Sequence, residues 1–134
     1  MRVKIIACTP NPDLIAGAAT RGCLSKKSAA ELLESEEEEK LRKALKTAVG
    51  RGHYSVLEHN RALWLVEGAS EREILRLPAK HKFLEISRVG DDAWVLSANL
   101  RVVLEMARSE KNELADKLVE SMRRVSTTFA ELIR

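Results

Sequence analysis

Aromatic side chains are scarce in this sequence: they make up 4% of its 134 residues, against 45% for hydrophobic residues as a whole. A core with so few rings has to be built from Leu, Val, Ile and Ala, a composition that favours helices packed on a small sheet. The length lies in the commonest size range for one domain. We therefore expect a single domain over residues 1–134, of the α/β class in its α+β form, with helices on a small, mostly antiparallel sheet.

Long apolar runs, paired cysteines and a strong excess of one charge are also missing. No stretch approaches the roughly 20 apolar residues of a membrane span, and Cys8 and Cys23 lack C-x-x-C spacing. The 23 basic residues nearly balance the 20 acidic ones, for a net charge of +3, which argues only weakly for nucleic-acid binding. We expect a cytoplasmic protein with reduced thiols and with neither a membrane nor a nucleic-acid partner.

Two nucleotide-binding motifs are absent as well. The sequence contains neither the G-x-G-x-x-G dinucleotide fingerprint nor a P-loop, and its serines and cysteines have no recognisable nucleophile context. The sequence therefore does not support the commonest nucleotide-dependent or nucleophilic enzyme classes.

The first half of the chain predicts a strand, several helices and a second strand. Residues 3–8 form a β-branched run that ends at prolines, and Asp13 can open a helix that stops at Gly22. The spacing S-x-x-E occurs at 28–31 and 35–38, and each occurrence predicts a helix start with a capping box. Residues 62–66 predict a central strand covered on both faces.

The second half predicts shorter elements. A helix over 71–77 should end or kink at Pro78, strands are indicated at 83–87 and 93–96, and a helix at 99–106. The C-terminal segment carries an apolar stripe at steps of three and four that is either core or an oligomer seam. Its members are Leu114, Leu118, Met122, Val125, Phe129 and Leu132.

The densest polar group is residues 53–59, H-Y-S-V-L-E-H. His53 and His59 would lie about 240° apart around a helix, which is poor metal-ligand geometry, so we expect no metal site. Ser55 and Glu58 have the spacing of another capping box. The functional alternative is a hydrogen-bonding rim for a polar heterocycle or a ribityl chain.

A basic cluster follows and permits three interpretations: a phosphate site, a soluble basic surface, or a weak RNA-binding patch. On a helix that Pro78 only kinks, the first three of its cations would share one face. The cluster comprises Arg72, Arg76, Lys80, His81, Lys82 and Arg88.

The order of these segments resembles that of the flavin-dependent thymidylate synthases. That family reads G-H-x-S-V-L-E-H, then I-E-G-V-S, then R-H-R-x-x-S-x-N-E-x-S-x-R-Y. Here residues 52–59 read G-H-Y-S-V-L-E-H, residues 66–70 read V-E-G-A-S, and residues 80–82 read K-H-K. Further similar segments are V-K-I-I-A at 3–7, R-G-C-L-S at 21–25, S-A-A-E-L at 28–32 and A-N-L-R at 98–101.

The resemblance implies a fold like that of the thymidylate synthase complementing proteins, a homotetramer, and FAD bound between subunits. Such an enzyme converts dUMP to dTMP with methylenetetrahydrofolate and NADPH as co-substrates. Carried over by position, the residues that would bind FAD are His53, Ser55, Glu58, Lys80, His81, Lys82, Asn99 and Arg101. Glu85, Ser87 and Arg88 would contact the substrate, and Ser87 and Arg88 are the candidate catalytic residues.

The signature also departs from the family pattern. After Lys82 the chain is about four residues shorter than the pattern, and lysine at positions 80 and 82 keeps the charge but loses the bidentate fork of arginine. We therefore expect weakened or absent thymidylate synthesis. The alternatives are a flavin- or nucleotide-binding relative without synthase activity and a cofactor-free structural or regulatory subunit.

Overall fold

The fold is defined by a computed structural model, which describes residues 1–133. Four strands form one antiparallel sheet in the order β1-β2-β4-β3, and the helices surround it. This confirms the predicted fold class. In chain order the elements are β1 (Arg2–Cys8), α1 (Pro12–Gly22), α2 (Ala29–Ser35), α3 (Glu38–Gly50), a 3₁₀ helix (Tyr54–His59), β2 (Arg61–Glu67), α4 (Glu71–Lys80), β3 (Glu85–Gly90), β4 (Ala93–Asn99), α5 (Leu100–Ser109), α6 (Glu113–Arg123) and α7 (Thr127–Leu132).

Strand β2 lies inside the sheet, between β1 and β4, as predicted. Its side chains alternate between faces: Trp64 and Val66 are buried, whereas Leu63 and Leu65 are half-buried. The indole N–H of Trp64 donates to Ser121 Oγ at 2.8 Å, which satisfies the polar edge of this buried ring. The prediction that both faces of this strand are covered is wrong for a single chain, because the face that carries Leu63 and Leu65 is partly accessible to solvent.

Helices α1 and α3 approach closely at Gly17. A β-carbon at this position would lie 2.3 Å from the backbone oxygen of Leu41, so the contact requires glycine. Leu14, Ala18, Leu32 and Leu41 form a small apolar cluster beside the main core. This packing fixes the relative position of the two helices that border the site described below.

One of the two predicted capping boxes forms. Ser28 Oγ accepts from the Glu31 backbone N–H at 3.2 Å and Glu31 Oε2 accepts from the Ser28 N–H at 2.6 Å. The prediction at Ser35 is wrong, because Ser35 ends α2 and its hydroxyl donates to the Glu31 carbonyl at 2.6 Å. Helix α3 instead starts after Glu37, without a side-chain cap.

Pro78 does not end its helix. Helix α4 continues through it to Lys80, three residues beyond the predicted end. Ser70 caps the start of α4 and forms a capping box with Glu73. The strands predicted at 83–87 and 93–96 are confirmed as β3 and β4, although β3 begins two residues and ends three residues later than predicted.

The C-terminal apolar stripe belongs to the core of the chain. It is divided between α6, which ends at Arg123, and α7, which Ser126 caps: the Ser126 hydroxyl accepts from the Phe129 N–H at 3.0 Å. The fully buried members of the stripe are Leu114, Leu118, Met122 and Phe129. These four side chains are therefore not available for an oligomer seam. Over residues 1–133, no helix is long and apolar enough to cross a membrane.

Candidate functional site

His53 and Ser55 lie on a groove between α1, α3 and the 3₁₀ helix, which we call the α1–α3 groove. Its volume is about 790 Å³, within the range of sites that bind organic cofactors. The floor is partly apolar and the rim is polar. The lining residues are Thr20, Arg21, Cys23, Leu24, Glu36, Lys40, Lys43, Ala44, Thr47, Ala48, Arg51, His53, Ser55 and Val56.

The groove has an excess of positive charge. Its one carboxylate, Glu36, accepts from Arg21 Nη2 at 3.2 Å and lies 3.6 Å from Lys40 Nζ. The Arg21 hydrogen bond, supported by the charges of Lys40 and Arg21, holds the pKa of Glu36 below its ordinary value despite its partial desolvation. Lys43 and Arg51 make no ion pair with any residue of 1–133, and they leave two cations for an anionic ligand.

One buried donor in the groove lacks a partner. Arg21 Nε is buried and makes no hydrogen bond with residues 1–133. A buried N–H without an acceptor costs about 1–3 kcal/mol, so a ligand oxygen placed there would recover that energy. The donor set therefore suits a ligand that carries phosphate oxygens and further hydrogen-bond acceptors.

Sequence reasoning missed these cations. Arg21 stood inside a segment similar to the family pattern, but Lys43 and Arg51 carried no motif. Lys43 lies on α3, and only the packing of α3 against the 3₁₀ helix brings it near His53 and Ser55. No local spacing indicates that contact.

Ser55 and Glu58 do not form the capping box that their spacing allows. The 3₁₀ helix begins at Tyr54 with His53 as its uncapped preceding residue. Glu58 Oε1 instead accepts a charge-assisted hydrogen bond from Arg101 Nη1. The two predicted flavin contacts Glu58 and Arg101 are thus brought together, and neither of them lines the α1–α3 groove.

An ionic network extends from that pair to the basic motif. Arg101 Nε lies 3.6 Å from Glu105 Oε1, and Glu105 Oε2 lies 4.0 Å from His81 Nδ1. His81 is buried, with 6% of its surface exposed. With Lys80, which joins it through Glu110, this network contains four of the eight residues assigned to the cofactor by resemblance, whereas two of them line the α1–α3 groove.

Glu110 holds the inner end of the network. Its buried carboxylate accepts from Lys80 Nζ at 2.9 Å and from Asn112 Nδ2 at 3.0 Å, and Oε1 lies 3.5 Å from His81 Nε2. Burial alone would raise the pKa of Glu110, but Lys80, with Arg76 and His81, holds this pKa below its ordinary value. Lys80 and His81 therefore already face an internal carboxylate.

The remaining predicted cofactor contacts have separate positions. Asn99 caps α5, because its side-chain oxygen accepts from the Val102 N–H at 3.0 Å. Lys82 is exposed in the turn after α4.

The three predicted substrate contacts lie on the edge strand β3. Glu85 Oε2 lies 2.7 Å from Arg61 Nη2. The Arg88 guanidinium lies 5.5 Å from the centre of the Trp94 ring and donates to the carbonyls of Gly90 and Asp91. Ser87 is exposed between them. These side chains share a strand but do not line the α1–α3 groove.

Comparisons with known proteins agree on one family. The model of the family described as thymidylate synthase complementing protein matches residues 4–134. A flavin-dependent thymidylate synthase from Clostridium tetani is 30% identical over 88 residues, which cover 66% of this chain and 35% of that protein. The chain thus matches about a third of the length of this curated relative.

Solved structures show the same fold. A crystal structure of thymidylate synthase X from Helicobacter pylori with FAD and dUMP superposes with a TM-score of 0.69 at 13% identity, covering 100% of both chains. A second structure of that enzyme, complexed with FAD and dUMP, gives a TM-score of 0.65 at 14% identity and covers 90% of this chain and 93% of the other. At sequence identities of 13% and 14%, this structural similarity establishes the fold of the chain.

Proposed function

We propose a function for this chain from the premise that it belongs to the thymidylate synthase complementing protein family. The chain binds FAD, and it binds it in the α1–α3 groove. The observation that carries this proposal is the groove itself, where the family-like residues His53 and Ser55 line one cavity with cations that have no ion-pair partner within residues 1–133.

The chemistry of the groove fits the parts of FAD. Lys43 and Arg51 supply charge for the diphosphate, and the buried Arg21 Nε needs an acceptor. His53 and Ser55 can donate and accept hydrogen bonds to a ribityl chain or a ring edge. When bound, the flavin would supply hydride transfer, and the role of the protein is to bind and orient it.

The ionic network forms a second part of the site. In this proposal Glu58, Asn99 and Arg101 complete the flavin site, with Arg101 oriented by Glu58 and Glu105. Lys80, His81 and Lys82 follow the family layout, but Glu110 already engages the first two. Exposed Lys82 is the member of this motif best placed for a ligand phosphate.

FAD binding is expected to depend on the groove. Ser55→Ala and Arg51→Ala should each raise the Kd for FAD about tenfold, the effect of one hydrogen bond or one charge contact of about 1.4 kcal/mol. Arg101→Ala should also weaken binding. Fluorescence titration of FAD measures these constants. The control is Glu34→Ala, which changes an exposed residue that does not line the groove and makes no ion pair within residues 1–133.

The groove would be the wrong site if Ser55→Ala and Arg51→Ala bound FAD like the unmutated chain. If only Arg101→Ala weakened binding, the flavin would lie at the ionic network.

Thymidylate synthesis is proposed to be weak. Glu85, Ser87 and Arg88 are the proposed substrate contacts, but Arg88 is held by two backbone carbonyls and Trp94, and Lys80 by Glu110. With dUMP, methylenetetrahydrofolate, FAD and NADPH, we expect little or no dTMP. Chromatographic detection of dTMP tests this, and turnover comparable with an intact family enzyme would contradict it.

We also propose that the chain forms a homo-oligomer, a tetramer as in the family resemblance. The support is the outer face of the sheet, where Leu63, Leu65 and Val95 stay half-exposed in one chain. Covering such a face is a common reason for association. Light scattering should give a mass of about four chains, and a monomeric mass at working concentration would refute the assembly.

Residues 1–134 are proposed to act as one domain in the cytoplasm. Support for the domain comes from a main core that contains side chains of both the sheet and the C-terminal helices, such as Trp64 and Phe129. Support for the location comes from Cys8 and Cys23, which are both free thiols.

A further inference from the structure

A second pocket lies at the start of α1, between the turn after β1 and the segment that joins α6 to α7. Its volume is about 520 Å³, and we call it the turn pocket. The residues that line it are Cys8, Thr9, Pro10, Asn11, Pro12, Asp13, Arg42, Arg124, Val125 and Thr127. It shares no lining residue with the α1–α3 groove.

The pocket has one carboxylate, and that carboxylate is already engaged. Asp13 accepts four hydrogen bonds from the hydroxyls of Ser126, Thr127 and Thr128 and from the Thr128 N–H. Arg42 Nη1 lies 3.3 Å from Asp13 Oδ2. The negative charge of the pocket is therefore bound to donors of the chain itself.

The positive charge is in excess. Arg42 keeps further N–H donors beyond the one it gives to Asp13, and 40% of its side chain is exposed. Arg124 lines the same pocket, is exposed, and makes no ion pair with residues 1–133. Two guanidinium groups facing one space suit a planar or tetrahedral oxyanion that accepts paired hydrogen bonds.

The pocket is larger than a bare oxyanion requires. One water occupies about 30 Å³ of liquid, so a cavity of about 520 Å³ leaves room for an organic group beside a phosphate. Pro10, Pro12 and Val125 provide apolar wall for that group. Burial raises the pKa of the Cys8 thiol, so this lining residue is uncharged and adds no negative charge to the pocket.

We propose that the turn pocket binds a small organic phosphate monoester, with the phosphate between Arg42 and Arg124 and the organic group against the proline walls. Asp13 already offsets one of the two guanidinium charges, so the match to phosphate comes from its tetrahedral oxygens, which can accept from the remaining N–H groups of both arginines. Since Thr127 also lines the pocket and binds Asp13, an occupant would contact both α1 and the start of α7.

Phenyl phosphate and inorganic phosphate are the probes for this site. In ¹⁵N–¹H correlation spectra at constant ionic strength, phenyl phosphate should shift the amide signals of Asn11, Val125 and Thr127 with saturation. Inorganic phosphate should shift the same signals at higher concentration, because it cannot use the apolar wall. The wild-type full chain is used throughout.

Two neighbouring arginines provide matched variants. Arg124→Ala should raise the Kd for phenyl phosphate at least about tenfold, as expected for a lost charge-assisted hydrogen bond. Arg123→Ala removes the same charge, but Arg123 pairs with Glu120 and the Ile133 carbonyl outside the pocket, so the Kd should stay within about twofold. The spectra of both variants also report whether the fold is intact.

Three results would overturn the proposal. The first is equal weakening by both arginine variants, which would mean nonspecific charge attraction. The second is a set of shifted signals around Lys43 and Arg51, which would place the phosphate in the α1–α3 groove. The third is the absence of tight binding by phenyl phosphate. Its affinity would then equal that of inorganic phosphate, or its binding would not saturate up to about 10 mM, which corresponds to a binding free energy weaker than about −3 kcal/mol.

Discussion

Asp13→Ala is expected to lower the free energy of unfolding by about 3 kcal/mol or more. The Asp13 carboxylate is 4% exposed and joins α1 to α7 through the Ser126 and Thr128 hydroxyls, and to α3 through Arg42. Its removal would leave buried donors without an acceptor, each at a cost of about 1–3 kcal/mol. Domains of this size are stable by only about 5–15 kcal/mol, so the fold would be near its limit.

Urea unfolding followed by circular dichroism measures this loss. Asp91→Ala is the matched control, since Asp91 is exposed in the turn between β3 and β4, and its side chain should contribute within about 0.5 kcal/mol. Asp13→Asn should fall between the two, because an amide keeps one acceptor oxygen. Equal unfolding midpoints for Asp13→Ala and Asp91→Ala would show that the hydrogen bonds of Asp13 add nothing to stability.

Glu110→Ala is expected to cost about 2 kcal/mol. The Glu110 side chain is 1% exposed, accepts hydrogen bonds from Lys80 and Asn112, and lies 3.5 Å from Nε2 of buried His81. Lys80 is 46% exposed and can regain water after the substitution, so the cost stays below that of a fully buried pair. Glu113→Ala, which removes an exposed acid that is paired only within α6, should cost less than about 1 kcal/mol.

The Glu110 effect has a predicted pH dependence. The pKa of Glu110 is lower in the folded chain than in the unfolded chain. The contribution of ionised Glu110 to the free energy of unfolding is therefore fully present above the unfolded pKa. The contribution is lost as pH falls through the folded pKa. The difference in unfolding free energy between wild type and Glu110→Gln should therefore shrink in acid. A difference that grows as the pH falls would mean that Lys80 does not stabilise an ionised Glu110.

Local patterns predicted the fold well. The prolines after β1 and the continuous apolar run at 62–66 are local features of the sequence, and both predicted the right elements. Ser35 shows the limit of such patterns, because a hydroxyl with S-x-x-E spacing can also donate backwards within its own helix. The break in the C-terminal apolar stripe, between α6 and α7, was not predicted either. No Gly or Pro marks it in the sequence, and only the cap by Ser126 in the structure reveals it.

The candidate site was predicted in part. The polar segment was singled out because loops at helix ends commonly carry functional residues. In the structure its His53 and Ser55 line the α1–α3 groove, and their role in binding a cofactor stays a prediction. The partners of Lys80 and His81 could not be read from spacing, since Glu110 lies 30 residues beyond Lys80 and meets it only through tertiary packing. Lys43 and Arg51 were missed for the same reason.

Titration of the purified wild-type chain with FAD tests the central claim most directly. Saturable quenching of flavin fluorescence, at one FAD per α1–α3 groove, is the result that the account predicts. Lysine stands at positions 80 and 82, where the family motif has arginine. The affinity for FAD should therefore be lower than with arginine by about one to two powers of ten, but still measurable. No change in flavin fluorescence or absorbance at any accessible protein concentration would contradict the account and favour a cofactor-free structural subunit.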